Sequence, residues 1–305
     1  MKLLNQKNRN YHLPPFLKKL PNTNHTAPNE NDKNQRKNPL TFLYCFLSLG
    51  IIFFLFSTPS FAKDYQYIAH RADIDHAPSE SYAAVDMAIS KGYKAIECDI
   101  WKTHSGDYLI YHDYNLHKLC GVRKNICQIS EKTRMKYPFK NKKYGVQNIL
   151  TFSEMVEYAK QKQIDVYFHL KAVRGGTYFT KNDLRKIRRI IEEHEMQNNS
   201  YFISSNTKVL SNMRGTLPGP KGGLTTKTSL GSLKSFAKMV KKKYKCDFVI
   251  FKYVHGKTDK LDLIKFCHKL RLKVCYYNIK ITGETKRLKK LGADMLILNR
   301  PSFAD

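Results

Sequence analysis

Three short runs of the chain carry the residue types from which a hydrolytic site could be built. His70-Arg71 closes an apolar run, Glu97 and Asp99 lie two residues apart in a second, and His112-Asp113 closes a third. Side chains at i and i+2 of a strand point to one face, so Glu97 and Asp99 converge while Cys98 points the other way. Two carboxylates held that close repel unless a cation or a shared proton lies between them. Such a pair is a ligand set for a hard divalent cation, and the imidazoles of His70 and His112 titrate near neutrality, where they can give or take a proton. Each part also has a plain reading: Glu-x-Asp on a strand is often a solvated face, and a lone histidine is often only a hydrogen-bonding residue. Position favours chemistry, because all four groups fall at or near the C-terminal ends of apolar runs, where α/β barrels and open sheets build their sites.

The elements that must position these groups follow from periodicity. Apolar β-like runs at 65–70, 95–100, 166–171, 201–204, 222–225, 247–253, 273–278 and 294–298 alternate with amphipathic helical stretches at 81–91, 152–162, 181–195, 206–214, 231–243, 259–270 and 284–291. Eight strands alternating with helices predict an α/β fold with a parallel sheet closed into a (β/α)8 TIM barrel. The run 108–112 makes a ninth, and the turn 102–107 before it is too short for a parallel crossover, so a hairpin is expected there. Residues 114–150 lack clear periodicity and read as a small insertion covering the site. A glycine-rich phosphate loop, a Gly-x-Ser-x-Gly elbow and a Cys-x-x-Cys zinc pattern are all absent from the sequence.

Upstream, residues 1–39 form a basic leader rich in Asn, Lys and Pro that is expected to be disordered, and 40–62 hold an apolar segment ending in Ser60-Phe61-Ala62. Small residues at those places fit secretory cleavage, and the alternative is an uncleaved membrane anchor; either places the domain at 63–305 outside the cytoplasm. The chain carries a net charge of +29 over its 305 residues. Eight basic and two acidic residues in 1–62 leave +23 on the remainder, a balance that attracts phosphate-bearing small molecules or lipids and anionic membrane surfaces. Nucleic acid is not expected as the partner of an exported chain. The runs Lys241-Lys242-Lys243 and 286–290 read as solvated helix faces. Six of the seven cysteines follow the leader, and an oxidising compartment makes Cys120 and Cys127, in one polar loop, a candidate disulfide.

The order of these motifs resembles the glycerophosphodiester phosphodiesterase family, part of the phospholipase C-like phosphodiesterase superfamily. That family reads roughly HRG, PENT, E-x-D, T-x-D-G and HD-x-x-L; here stand His70-Arg71-Ala72, Pro78-Ser79-Glu80-Ser81, Glu97-x-Asp99, Thr103 with Gly106, and His112-Asp113 with Leu116. Weaker echoes continue in His169-Leu170-Lys171, Ser204-Ser205, Tyr277-Asn278 and Leu298-Asn299-Arg300-Pro301, so the likeness covers about 65–305. It implies hydrolysis of a glycerophosphodiester to sn-glycerol 3-phosphate and an alcohol. Glu97 and Asp99 would hold Ca²⁺ or Mg²⁺, Arg71 and Lys171 would bind phosphate, and His70 and His112 would serve as base and acid, in an order left open. The departures are Ser79 at the PENT glutamate, His169 at the usual third carboxylate ligand, Cys275 at a tryptophan and Asn299 at an aspartate. On a strand Tyr167, His169 and Lys171 share a face, so His169 becomes the expected third ligand and a softer divalent ion becomes possible. Two alternatives stay open: a lipid hydrolase of the lysophospholipase D or sphingomyelinase D type, which an apolar rim on the insertion would favour, and an inactive barrel that binds phosphate ligands.

Overall fold

The computed structural model describes residues 66–73, 76–141, 143–172 and 178–300. The leader, the apolar segment at 40–62 and Pro301 lie outside the described residues, among which no helix is long and apolar enough to cross a membrane.

Eight parallel strands close into a barrel: β1 (Gln66–Ala69), β2 (Ala95–Lys102), β5 (Asp165–Leu170), β6 (Ser200–Ser204), β7 (Lys221–Thr225), β8 (Phe248–Lys252), β9 (Lys273–Ile279) and β10 (Met295–Leu298). β1 pairs with β10 on one side and β2 on the other, which closes the ring. The helices between them are α1 (Tyr82–Ser90), α3 (Phe152–Lys162), α4 (Lys181–Glu193), α5 (Thr207–Met213), α6 (Leu230–Lys242), α7 (Leu261–Lys269) and α8 (Thr282–Leu291). Their starts are written locally. Ser81 and Asn206 accept backbone N–H groups of α1 and α5, while Thr151 with Glu154 and Thr180 with Asp183 form reciprocal capping boxes for α3 and α4.

The predicted TIM barrel is therefore observed, and strand parity explains where its core sits. Cys98, Ile100, Phe168, Leu170 and Phe251 point outward and pack under the helices. Ile68, Ala95, Tyr167, Ile203, Phe248 and Ile297 point inward and fill the barrel floor. Burial of each large apolar side chain contributes roughly 1.5–3 kcal/mol. Gly222 in β7 lies where the ring of Phe248 takes the space a side chain would need, its added Cβ falling 2.0 Å from that ring. Two residues further along β1, β2, β5 and β10, the same inward parity turns polar: His70, Glu97 and Asp99, His169 and Lys171, and Asn299.

The expected hairpin is present. β3 (Tyr108–Ile110) runs antiparallel to β2 with Lys102 opposite Tyr108, and β4 (Leu150–Thr151) pairs with β3. Between β3 and β4 the insertion holds the short helix α2 (His117–Cys120) and its own apolar cluster of Trp101, Leu109, Tyr111, Leu116, Ile126 and Phe139. Asp183 clamps the hairpin to the barrel, accepting from Lys102 Nζ at 2.8 Å and Tyr108 Oη at 3.0 Å. The candidate disulfide is not formed. Cys120 and Cys127 are both free, because Cys127 sits in a tight turn with Sγ donating to Tyr114 Oη at 3.3 Å while Cys120 ends α2 beside Tyr111.

Candidate active site

A cavity of about 560 Å³ opens at the C-terminal end of the barrel, lined by His70, Arg71, Glu97, Asp99, His112, His169 and Lys171 on one side. Ile203, Leu224, Phe236, Met239 and Tyr277 form its apolar wall. All seven residues singled out from the sequence thus meet in one place, although they come from β1, β2, β5 and the hairpin.

Glu97 and Asp99 project side by side from β2 and are buried. His169 reaches them from the neighbouring strand β5, its Nδ1 2.9 Å from Asp99 Oδ1 and 3.9 Å from Glu97 Oε1. One ligand atom from each of the three lies within 4.8 Å of the others. Lys171 Nζ stands 3.0 Å from Asp99 Oδ1 and 5.7 Å from the centre of the Trp101 ring. Burial alone would raise the Asp99 pKa, but Lys171 and His169 outweigh it and keep the group ionised. Glu97 goes the other way: burial, then the charge of Asp99, push its carboxyl far above the usual range. The two carboxyls thus differ in acidity, as expected of a close pair built to share a cation or a proton.

The donor set fits a divalent ion. Both carboxylate oxygens of Asp99 are buried without a hydrogen bond of good geometry, which in a polar cavity suits groups that take a cationic ligand. Two carboxylates and one imidazole with open positions suit a six-coordinate metal better than a closed tetrahedral one.

The flanking histidines approach from opposite sides. His70 Nε2 is 3.9 Å from Glu97 Oε2, and its Nδ1 is 2.6 Å from the side-chain oxygen of Asn299 at the end of β10. Burial, followed by the charge of Arg71, pushes His70 down to about 4, so it is neutral at pH 7. His112 Nε2 is 3.8 Å from Asp99 Oδ2, and its Nδ1 is 2.6 Å from Asp113 Oδ1. Burial lowers its pKa below the ordinary value too; Asp99 and Asp113 oppose the shift, and Lys171 and Arg71 add to it. Arg71 N–H donates to Glu97 Oε2 at 3.2 Å, and its guanidinium lines the cavity with Nε buried and unpartnered.

Sequence reasoning missed two contributors. Glu80, displaced by one place from the family pattern, is almost fully buried, and its Oε1 accepts the backbone N–H of Asp99 at 2.5 Å. Burial and the neighbouring carboxylates raise its pKa well above the ordinary value. Arg71, Ala72 and Glu80 all adopt left-handed backbone, with φ of 54°, 64° and 61°, a conformation that costs non-glycine residues about 1 kcal/mol each and here folds the loop back onto Glu97. Ala72 stands at the family's glycine, which was the available signal. The second contributor, Asn299, had been visible only as a departure from the family aspartate; its role as the partner of His70 links residues 229 apart.

Comparison with known proteins agrees with this geometry. The sequence profile of the glycerophosphoryl diester phosphodiesterase family matches residues 70–302. A bovine relative, glycerophosphodiester phosphodiesterase 1, is 26% identical over 154 residues, covering 49% of this chain, and its human counterpart matches to the same extent. The chain spans under half the length of these curated relatives, 45% of each. Among solved structures, a glycerophosphodiester phosphodiesterase from Agrobacterium tumefaciens superposes with a TM-score of 0.65 at 15% identity, over 79% of this chain and 98% of that one. A phosphodiesterase from Oleispira antarctica, in complex with the product sn-glycerol-3-phosphate, superposes at 0.68 with 19% identity, over 78% and 94% of the two chains. At these identities the structural likeness speaks to the fold.

Proposed function

Because the chain belongs to the glycerophosphoryl diester phosphodiesterase family, we propose that its barrel-mouth cavity hydrolyses a glycerophosphodiester to sn-glycerol 3-phosphate and an alcohol. The observation that carries the reading is the meeting of Glu97, Asp99 and His169 between two histidines beside an arginine with an unpartnered Nε. Glu97, Asp99 and His169 would hold the cation. When bound, the ion supplies positive charge where the phosphoryl oxygens become more negative. Arg71 presents a planar fork of donors to the phosphate, and Lys171 adds a point charge beside it. His70, neutral and with Nδ1 tied to Asn299, offers Nε2 as the base that takes the proton of the attacking water. His112, whose Nδ1 faces the Asp113 carboxylate, is the better supported as imidazolium and gives its proton to the leaving alcohol.

Imidazole at position 169 removes one negative charge from the shell that Ca²⁺ or Mg²⁺ would meet, and so favours Mn²⁺, Co²⁺ or Zn²⁺. His169→Glu should reverse that order in metal titrations. Export remains part of the reading, on the strength of the basic leader and the small residues before Lys63, and N-terminal sequencing of envelope protein should begin at Lys63. Phosphorus NMR of a reaction on glycerophosphocholine tests the activity itself. Glycerol 3-phosphate with choline is expected; phosphocholine with glycerol, or an unchanged substrate with every divalent ion, would refute it.

A further inference from the structure

The large apolar side chains left exposed among the described residues all belong to strand-to-helix connections or to the insertion. In the barrel they are Tyr178, just before α4, Leu230 and Leu261, which open α6 and α7, and Ile281, the cap of α8. In the insertion they are Tyr114, Met135 and Val146. None lies beyond the first residue of a barrel helix or in a helix-to-strand turn at the other end of the barrel. Isolated exposed apolar residues are ordinary on any surface, but their sorting to one end, around the mouth of the catalytic cavity, is not.

Cations stand beside these tips. Each barrel tip has an exposed lysine within three residues: Lys181 for Tyr178, Lys227 for Leu230, Lys260 for Leu261 and Lys280 for Ile281. Lys208 Nζ stands 5.4 Å from the centre of the Tyr178 ring. Acidic groups of these loops are mostly turned inward, with Asp183 in its capping box, Asp259 buried against Arg287, and Glu284 accepting the backbone N–H groups of Lys280 and Ile281. Asp262 is the exposed exception. Residues 114–150 hold nine basic residues and one acidic one.

We propose that the mouth of this barrel docks on an anionic lipid surface, with the apolar tips in the headgroup boundary and the lysines on lipid phosphates. Apolar tips alternating with cations around a ring match that surface, where rings and aliphatic chains bury while ammonium heads stay at the polar level. A protein partner would call for a continuous apolar patch with few lysines. Docking faces the cavity to the bilayer, so the diester would be drawn from a lipid-borne source, and this last step rests on the hydrolytic reading of the cavity.

Sedimentation of the full chain with vesicles of phosphatidylcholine, with and without phosphatidylglycerol, tests the idea. The combined variant Tyr178→Ser, Leu261→Ser, Ile281→Ser should lose about tenfold or more in affinity for the anionic vesicles, and should cleave soluble glycerophosphocholine at the wild-type rate, which also reports that it is folded. In a separate Ile281→Trp variant, the introduced indole should shift to the blue on those vesicles and be quenched by brominated lipid. Equal binding of variant and wild type, equal binding to neutral vesicles, or an unquenched indole on protein that still sediments would overturn the proposal, the last by placing the contact elsewhere in the chain. Rim-dependent binding without turnover of any diester would leave docking standing and sink the hydrolytic reading instead.

Discussion

His70 and His112 face one carboxylate pair from opposite sides, yet the chain prepares them differently. His70 ends a strand held in parallel register between β10 and β2, and its ring partner is an uncharged amide, Asn299. His112 follows an antiparallel hairpin strand that lies outside the barrel ring, and its partner is the carboxylate of the next residue, Asp113. An amide oxygen fixes a tautomer and favours the imidazolium less than a full carboxylate charge does. In the proposed mechanism, the partner of the second ring nitrogen, rather than residue type alone, distinguishes the two histidines.

The sharpest way to break that comparison is to remove each ring and vary the leaving group. His112→Ala and His70→Ala should each cost about 10²- to 10⁴-fold in the hydrolysis of an alkyl diester such as glycerophosphocholine. With a p-nitrophenyl leaving group, which departs without protonation, the His112→Ala loss should nearly vanish and the His70→Ala loss should persist. The opposite pattern would exchange the two roles.

A second test changes the partner rather than the ring. Asn299→Asp places a carboxylate at 2.6 Å from Nδ1 and so raises the pKa of His70 above its present value of about 4. A base works only when unprotonated, so the acidic limb of the kcat/KM profile should move to higher pH. The limb should stay in place in Asp113→Asn, which acts on the other histidine.

The two halves also differ in what holds them. The His112 side depends on Asp183, a buried carboxylate that caps α4 and grips the hairpin through Lys102 and Tyr108. Burial works against its ionisation, but the bonds from Lys102 and Thr180 prevail and hold its pKa below the ordinary value. A depressed folded pKa contributes stability that is present above the unfolded value, near 4, and lost as the pH falls through the folded one. Asp183→Asn should accordingly cost about 1–3 kcal/mol at neutral pH in denaturant titrations, with the difference from wild type shrinking on acidification. It should also lower kcat through His112 while leaving the His70 limb where it was.

How much of this was legible in the sequence follows the same division. The barrel could be read because each strand declares itself over a few residues, and the convergence of Glu97 with Asp99 and of His169 with Lys171 needs only the two-residue period of a strand. The hairpin carrying His112 was legible from the shortness of its turn. Pairings across the barrel were not: nothing local to His70 announces Asn299, and nothing near Tyr108 announces Asp183. Glu80 was missed for another reason, since only the left-handed turn at residues 71, 72 and 80 carries it under Asp99, and no periodicity encodes that. For Cys120 and Cys127, spacing suggested a bridge, but both thiols are free, one at the end of α2 and the other in the following turn.

The proposed hydrolysis depends on a cation held by Glu97, Asp99 and His169, and the most direct measurement reads metal content and turnover on the same preparations of wild type and Asp99→Asn. One divalent ion per chain is expected in the wild type, its loss in the variant, and a fall in turnover of about 10³-fold or more in both the variant and the chelator-treated wild type, reversed only in the latter by adding metal. Wild-type protein stripped of metal that still hydrolyses the diester at its full rate would contradict the assignment.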